Sequence, residues 1–499
     1  MSQRRSGVLL PVFSLPSPYG VGTFGAEARR FVDFLAQHGQ TYWQMLPLTP
    51  TGYGDSPYQS FSAFAYNPYF IDLEQLVSDG LLEPADLESE RSLPSDHVDY
   101  GWLYSTRYNI LTRAYVNFVR QGLNYAKPFT DFVKEQEFWL HFYAAFMVIK
   151  SLNGSRSLQE WPAELRDSGS QAVSDLIRSH RNDMFGFFEF IQFEAYSQCT
   201  ALKRYANEKG ILLIGDAPIY MALDSADVWG HPESFMLNSD KTPVLVAGVP
   251  PDYFSATGQL WGNPIYDYKA MEKDGFSFWR QRIRAAKAQC DVLRIDHFRG
   301  LADYWAIPFG SPDARTGSWV IGPGEKLVDA INSEAGSMKI IAEDLGALDD
   351  TVLRLKQYSR WPGMKIMQFA FDSFDPESHD NPHNYEENCV AYLGTHDNET
   401  TMGFVDTHSN LWSFIGQNLG IQGEVNRNSV FDAMAEALTK SAANTVIYTM
   451  QDALRLGDEA RLNAPSTTGK NWQFRLPADY DKRGTGEWLE SLAVKGGRK

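Results

Sequence analysis

Short, uninterrupted runs of apolar residues recur along the chain and predict buried strands. A strand with one face in water alternates apolar and polar residues, whereas a strand of a parallel sheet covered on both faces is apolar throughout. The runs in this chain are of the second kind, which favours a parallel sheet. The predicted strands cover residues 42–48, 69–73, 211–214, 292–295, 339–342, 364–369, 390–393 and 445–448.

Amphipathic stretches lie between several of these runs. Residues 28–37 place Phe31 and Val32 on an inward face, and Gly39 is suited to end that helix. Eight strands with helices between them predict an α/β fold, a (β/α)8 TIM barrel. We expect the whole chain, 1–499, to be one catalytic barrel without a separate C-terminal β domain.

Two spacers between the predicted strands are too long for ordinary barrel loops. Residues 74–200 carry Leu, Phe, Tyr and charged residues at helical spacing, which predicts a largely helical insertion subdomain. Residues 217–290 form a second insertion. It contains the sequence GVPPDYFSATGQLWGNPIYDY, whose Gly, Pro and aromatic residues predict an ordered loop beside the cleft.

The charge and composition narrow the class of partner. The formal net charge is −17, which repels polyanions such as nucleic acids but does not repel a neutral polymer such as a carbohydrate. Aromatic residues make up 14% of the chain, enough for a large core and also for sugar-stacking surfaces, so composition leaves the two readings open.

Other features indicate a cytoplasmic protein without a metal or cofactor. The three cysteines form no CxxC pair or disulfide framework, which favours a reducing compartment. The N-terminal apolar run is too short for a signal peptide, and no run of 18 apolar residues predicts a membrane span. The histidines lack HxH or HExxH spacing, and no GxxxxGK phosphate loop is present.

Acidic residues follow several of the predicted strands. In a barrel the carboxyl ends of the strands converge on the face where catalytic groups lie. An Asp after a strand is also a common helix N-cap, so each residue taken alone has a structural explanation. The residues are Asp216 after 211–214, Asp296 after 292–295, Glu343 after 339–342, Asp372 beyond 364–369 and Asp397 beyond 390–393.

Two carboxylates at such a face suit glycosidic chemistry. One attacks the anomeric carbon, and the other protonates the leaving oxygen and later deprotonates the acceptor. Neighbouring carboxylates also push their proton affinities apart, so one stays ionised while the other stays protonated. Arg294 lies two residues before Asp296, and strand alternation points both side chains to one face. We expect Arg294 to keep Asp296 ionised.

The sequence motifs resemble a known family. RIDHFRG at 294–300, AEDLG at 342–346 and GTHDN at 394–398 resemble the main motifs of the α-amylase clan. The segments LPLTPTGYGDSPYQSFSAFAYNPYFIDL at 46–73, GDAPIYMALDSADVW at 215–229 and GVPPDYFSATGQLWGNP at 248–264 narrow the resemblance. Together they resemble the 4-α-glucanotransferases (amylomaltase or disproportionating enzyme, glycoside hydrolase family 77), from Gly7 to about Arg475.

This resemblance implies roles for particular residues. Asp296 matches the nucleophile, Glu343 the general acid/base, and Asp397 the third carboxylate that stabilises the distorted sugar. Residues 248–261 resemble the family's lid over the cleft. The implied glucan contacts are Ser56, Tyr58, Asp216, Tyr253, Phe254, Trp261, Arg294, Asp372, His396 and Asn463. The sequence departs from the family pattern at 462–466, where relatives often have Met-Asn…Pro-Gly.

The implied substrates are maltooligosaccharides, amylose and glycogen- or starch-type glucans, with glucose as an acceptor. Two other functions remain open: an α-1,4-glucan hydrolase with the same carboxylates, and a non-catalytic glucan-binding protein, against which the intact carboxylates argue. His297 could be a core residue or a functional one. Tyr58 and Trp261 could be core aromatics or sugar-stacking residues, and the Gly/Pro-rich sequence around them favours stacking.

Overall fold

The computed structural model describes residues 4–52, 54–251, 255–346, 348–371 and 378–499. Within these ranges no helix combines the length and apolar character needed to cross a membrane. The strands are β1 Arg5–Leu9, β2 Tyr42–Gln44, β3 Leu212–Ala217, β4 Leu245–Val249, β5 Gln259–Pro264, β6 Val292–Ile295, β7 Asp303–Pro308, β8 Ser318–Ile321, β9 Lys339–Ala342, β10 Gly363–Ile366, β11 Cys389–Tyr392 and β12 Thr445–Thr449.

Eight of these strands form one parallel sheet that curls into a barrel. Their spatial order is β10-β11-β12-β1-β2-β3-β6-β9, and every neighbouring pair is parallel. The outermost strands also meet, because the Ala342 N–H at the end of β9 donates to the Pro362 carbonyl just before β10 (2.9 Å). Both β6 and β11 are buried at every position. The predicted (β/α)8 barrel is therefore confirmed.

Seven of the eight predicted barrel strands are present, and one prediction is wrong. Residues 69–73 are not a strand, because Pro68 lacks the N–H that a ladder needs and Asn67 caps a short 3₁₀ helix, Pro68–Phe70, by accepting the Tyr69 N–H (3.0 Å). The eighth strand is β1, in which only Val8 and Leu9 are apolar, because Arg5, Ser6 and Gly7 form its first half. A Cβ at Gly7 would lie 2.4 Å from the Tyr42 Cβ on β2, so this position requires glycine.

Helices surround the barrel and fill its long connections. The predicted helix at 28–37 is confirmed as the first of them, and Gly39 follows it with φ +68°. The helices are α1 Ala26–Gln37, α2 Leu73–Ser78, α3 Tyr100–Arg120, α4 Lys127–Glu135, α5 Glu137–Leu152, α6 Gln171–His180, α7 Gly186–Glu208, α8 Ala226–Gly230, α9 Tyr268–Lys273, α10 Ser277–Gln289, α11 Arg299–Ala302, α12 Glu325–Ala335, α13 Asp350–Ser359, α14 Thr401–Thr407, α15 Trp412–Asn418, α16 Arg427–Lys440, α17 Met450–Ala453 and α18 Thr485–Lys495.

Helices α2 to α7 lie between β2 and β3, the stretch in which the sequence predicts a helical insertion. The division of the chain into a barrel and two insertions stays a prediction. Within 217–290, however, the expected loop beside the cleft contains regular structure. Strands β4 and β5 pair antiparallel there and join β7 and β8 in a second sheet, in the order β5-β4-β7-β8.

Candidate active site

The acidic residues of the sequence motifs lie at the carboxyl ends of adjacent barrel strands. Asp296 directly follows β6, and Glu343 directly follows β9. The ladder continues past both strands, since the Asp296 N–H donates to the Ala217 carbonyl (3.0 Å) and the Glu343 N–H donates to the Ile295 carbonyl (3.0 Å). This continuation places Asp296 and Glu343 on neighbouring strands at the same level of the barrel.

Arg294 connects two of the carboxylates. Its Nη1 donates to both oxygens of Asp216 at 2.8 Å, and its Nη2 lies 2.9 Å from Oδ1 of Asp296. The side chains of Arg294 and Asp216 are 5% and 0% exposed, whereas that of Asp296 is 30% exposed. Burial raises the pKa of Asp216, and the guanidinium of Arg294 opposes this rise. Of the two carboxylates paired with Arg294, Asp296 is therefore the one open to an incoming molecule.

Glu343 has a different environment from Asp296. Its Oε2 accepts the backbone N–H of His297 (2.7 Å), and its Oε1 accepts the backbone N–H of Leu345 (2.9 Å). Burial, and after it the negative charge of Asp296, raise the pKa of Glu343 to about 7. A carboxyl group with that pKa is protonated in a substantial fraction of molecules at neutral pH, so it can both donate and accept a proton.

His297 contributes its backbone as well as its ring. Its φ of +54° lies in the left-handed region, and this conformation accompanies the N–H donation to Glu343. Burial lowers the pKa of its imidazole to about 4, so the ring is neutral at neutral pH. Trp261 packs edge-to-face against this ring, with centroids 4.9 Å apart. The sequence suggested a role only for the His297 imidazole. The structure shows that the backbone N–H of His297 also contacts Glu343.

Asp397 lies in a cluster formed by two loops, one after β11 and one that contains Asn463. Asn463 Nδ2 donates to its Oδ1 (2.6 Å), and His396 Nε2 lies 3.4 Å from its Oδ2. Its side chain is 46% exposed. The Asn463 N–H also donates to the His396 carbonyl (3.1 Å), so the segment that departs from the family pattern still holds Asn463 against Asp397. Arg461, which the sequence reading did not include, donates to the Asp397 carbonyl (2.8 Å).

Tyr58 joins the Asp397 cluster to the Arg294 group. Its hydroxyl donates to Asp216 Oδ2 (2.8 Å), and its ring stacks on His396 with centroids 5.3 Å apart and planes 9° apart. Trp472, also missed in the sequence, packs against both Tyr58 and His396. The Ser56 hydroxyl accepts the Tyr58 N–H (3.3 Å) and so orders the turn that carries Tyr58. Tyr58 is thus fixed on three sides.

Three of the residues implied by the resemblance, Tyr253, Phe254 and Asp372, lie outside the described residues. The others fall into the groups above. Asp216, Arg294, Asp296, Glu343, Tyr58, His396, Asp397 and Asn463 are linked by hydrogen bonds, ion pairs, ring stacking or adjacent strand ends. Trp261 reaches the group through His297, and Ser56 reaches it through Tyr58.

A parallel eight-stranded barrel with unlike carboxylates at its strand ends is typical of barrel enzymes that use acid–base chemistry. Comparison with known proteins identifies the family. The sequence profile of the 4-alpha-glucanotransferase family, glycoside hydrolase family 77, matches residues 10–480. The chain therefore belongs to this family, which confirms the resemblance found in the motifs.

Individual relatives agree with the family assignment. The chain is 44% identical over 485 residues to a 4-alpha-glucanotransferase of Streptococcus pneumoniae serotype 4, covering 96% of this chain and 94% of that protein. It is also 44% identical to one from Thermus thermophilus, covering 95% of each chain. Among solved structures it resembles an amylomaltase from Streptococcus agalactiae in complex with acarbose, with a TM-score of 0.94, 38% identity and coverage of 99% of this chain and 100% of the other. The family favours the transferase over the hydrolase.

Proposed function

We propose that this chain transfers a segment of an α-1,4-glucan to the 4-hydroxyl of an acceptor glucan or glucose by a retaining double displacement. In this mechanism Asp296 is the nucleophile, Glu343 the general acid/base and Asp397 the carboxylate that stabilises the transition state. One observation carries the proposal: Asp296 and Glu343 are adjacent at two strand ends, and of these two carboxylates Asp296 is the one that forms an ion pair with Arg294. In the proposed mechanism, that difference assigns the attack to Asp296 and the proton transfer to Glu343.

The reaction has two steps, formation of a glycosyl ester on Asp296 and transfer of the glycosyl group to the acceptor. An ionised Asp296 attacks the anomeric carbon, the bond to the leaving 4-oxygen breaks, and Glu343 gives that oxygen its proton. The acceptor then approaches, its 4-hydroxyl gives a proton to the Glu343 carboxylate, and its oxygen attacks the anomeric carbon as the ester to Asp296 breaks. Two inversions give net retention, and Glu343 recovers its proton for the next cycle.

The remaining residues are proposed as glucan contacts. Asp397 is half-exposed beside His396 and Asn463, an arrangement suited to hydrogen-bonding sugar hydroxyls. Trp261 lies on β5 at the far end of the predicted lid, 248–261, and its family role there supports sugar stacking. Ser56, Tyr253, Phe254 and Asp372 are proposed from the resemblance alone. The substrate classes expected are maltooligosaccharides and longer α-1,4-glucans.

Incubation with maltotriose and radiolabelled glucose tests the activity. We expect a ladder of longer maltodextrins plus glucose, with no net gain of reducing ends, because each cut bond is replaced by a new one. The label should enter the ladder at the reducing end, since free glucose acts as an acceptor. A steady rise in reducing ends without incorporation of label would instead identify a hydrolase.

The pKa of Glu343 predicts the pH dependence of the first step. Because burial and Asp296 raise this pKa to about 7, the protonated acid persists to neutral pH and is lost above it. We expect kcat/KM for maltotriose to fall about tenfold per pH unit on the alkaline side of this pKa. The measurement is a profile of kcat/KM from pH 5 to pH 9, which reports groups of the free enzyme. A profile that stays flat to pH 9 would mean that another group supplies the proton.

A further inference from the structure

The second sheet, β5-β4-β7-β8, carries apolar side chains on both of its faces. Ala247, Tyr304 and Ala306 on one face belong to the main hydrophobic core. On the opposite face, Val246 and Ile307 are buried under Ala314 in a small separate cluster. An antiparallel sheet with one free face is expected to be polar on that face. We call the face of Val246 and Ile307 the outer face.

Much of the outer face is apolar and exposed. The strand register places Leu260, Gly248, Trp305 and Trp319 in one row across the four strands, and strand alternation places Ile321 beside Trp319 on the same face. Trp319 is 44% exposed and Ile321 is 87% exposed. Exposed apolar side chains that are contiguous, rather than scattered, mark a binding surface.

Trp319 is held in a fixed orientation despite its exposure. The Arg299 guanidinium lies over its ring, 4.0 Å from the centroid, and Trp305 packs edge-to-face against it at 5.3 Å. Arg299 is itself fixed by ion pairs with Asp303 (2.8 Å) and Asp349 (2.6 Å). A planar ring positioned before binding loses little conformational entropy on contact with a ligand. Flat aromatic rings of this kind suit the C–H faces of pyranose sugars.

The outer face is continuous with the predicted lid. Strands β4 and β5 hold the two ends of residues 248–261. The Trp305 indole N–H donates to the Ala314 carbonyl (2.8 Å), and the Ala314 N–H donates to the Thr257 carbonyl (3.1 Å). The tryptophan pair is thereby hydrogen-bonded, through one residue, to the stem of that segment. The outer face therefore lies beside the described residues at both ends of that segment.

We propose that the outer face, centred on Trp319, is a second binding surface for long α-1,4-glucans, separate from the cleft that holds the reacting bond. This inference rests on the proposed function, because it takes its ligand class from that function. The ligand is neutral, so binding depends on ring stacking and apolar contact rather than on the charge of Arg299. Glucans long enough to reach both surfaces gain affinity from the outer face. Maltotriose is too short to occupy the cleft and the outer face at the same time.

The test compares two donors in the same preparation. The readout is the ratio of kcat/KM for amylose to kcat/KM for maltotriose, in the wild-type protein and in Trp319→Ala and Trp319→Tyr. We expect Trp319→Ala to lower this ratio roughly two- to tenfold, the range of one aromatic contact. Trp319→Tyr should keep most of the ratio because it keeps a flat ring. Added salt should not change the ratio, since the ligand carries no charge.

Tyr125→Ala is the matched control. Tyr125 is an aromatic residue, 81% exposed, in the helical stretch between β2 and β3 and not part of the second sheet, and its removal should leave the ratio unchanged. If Trp319→Ala fails to fold, Ile321→Glu places a charge on the same face at an exposed position and should lower the ratio as well. A ratio that neither substitution lowers would overturn the inference.

Two further outcomes distinguish glucan binding at the outer face from self-association and from failure of the proposed function. If sedimentation velocity shows a wild-type dimer that Trp319→Ala dissociates while the donor ratio stays constant, the outer face contacts a second copy and the glucan proposal is wrong. If the wild-type protein makes no maltodextrin ladder from maltotriose, the proposed function itself fails. If the ladder forms and the ratio is insensitive to Trp319, only the second surface is refuted.

Discussion

Replacing Asp296 with Asn should reduce kcat for transfer from maltotriose by about 10⁴-fold or more, the loss typical when a nucleophile is removed. Asn has nearly the shape of Asp but carries no charge and cannot form the ester with the anomeric carbon. The measurement is the rate of glucose release from maltotriose, together with the affinity for the same sugar. Affinity should change far less than turnover, because the substitution removes a reacting group and leaves the cleft in place.

The surroundings of Asp296 explain why this substitution should be specific. Arg294 keeps both of its hydrogen bonds to Asp216 after the change, so it retains a buried anionic partner. The backbone of Asp296 is fixed by its N–H donation to the Ala217 carbonyl, which the side chain does not affect. We therefore expect the melting temperature to stay close to that of the wild-type protein while activity disappears.

Asp131→Asn provides the control for this experiment. Asp131 is an exposed acidic residue of α4, paired with Lys127, and its replacement makes the same chemical change on a helix that contributes no residue to the candidate site. It should retain wild-type turnover. Residual activity of Asp296→Asn above about one hundredth of the wild-type rate would show that another group attacks the anomeric carbon.

The sequence predicted most of the barrel because both-sided burial produces unbroken apolar runs. Its error at 69–73 shows the limit of that signal. An apolar run beside Pro68 and Asn67 packs into the core just as well when it is not a strand. In contrast, β1 was missed because only two of its five residues, Val8 and Leu9, are apolar, and its Gly7 is required by the close approach of Tyr42 on β2. Such a contact between two strands cannot be inferred from the sequence of one strand.

Part of the candidate site could be predicted from the positions of residues relative to the apolar runs. Acidic residues after apolar runs could be placed at one end of a barrel, and the pairing of Arg294 with Asp296 follows from strand alternation. The contributions of Arg461 and Trp472 could not be predicted, because these residues lie more than sixty positions from Asp397 and follow no strand. The second sheet was missed because β4 and β5 lie in a Gly/Pro-rich segment that resembles a loop, and because β7 and β8 lie outside the apolar runs taken as strands.

Replacing Glu343 with Gln should lower kcat/KM for maltotriose by about 10²–10⁴-fold, the range expected for loss of a general acid/base. Gln keeps the size of Glu and one oxygen acceptor for the N–H groups of His297 and Leu345, but it has no proton to transfer. Glu88→Gln makes the same change at a surface side chain that is 68% exposed, and it should leave kcat/KM for maltotriose unchanged. Equal activity of Glu343→Gln and wild type would remove Glu343 from the mechanism.

A donor that needs no protonation separates the two steps. Fluoride leaves without a proton, so α-maltosyl fluoride should restore the first step in Glu343→Gln, and the alkaline fall in rate should disappear with it. The second step would remain slow, because an acceptor hydroxyl still needs a base, and mass spectrometry should detect a maltosyl group on Asp296. Azide ion needs no base, so adding it should release maltosyl azide and raise the turnover.

The configuration of that azide decides between mechanisms. If Asp296 first displaces fluoride and azide then displaces Asp296, two inversions give the α-azide. If azide attacks the fluoride donor directly, a single inversion gives the β-azide and Asp296 has formed no intermediate. We expect the α-anomer from Glu343→Gln, because the charge of Asp296 and its pairing with Arg294 persist in this variant. The β-anomer would contradict the double displacement while leaving Glu343 as the acid.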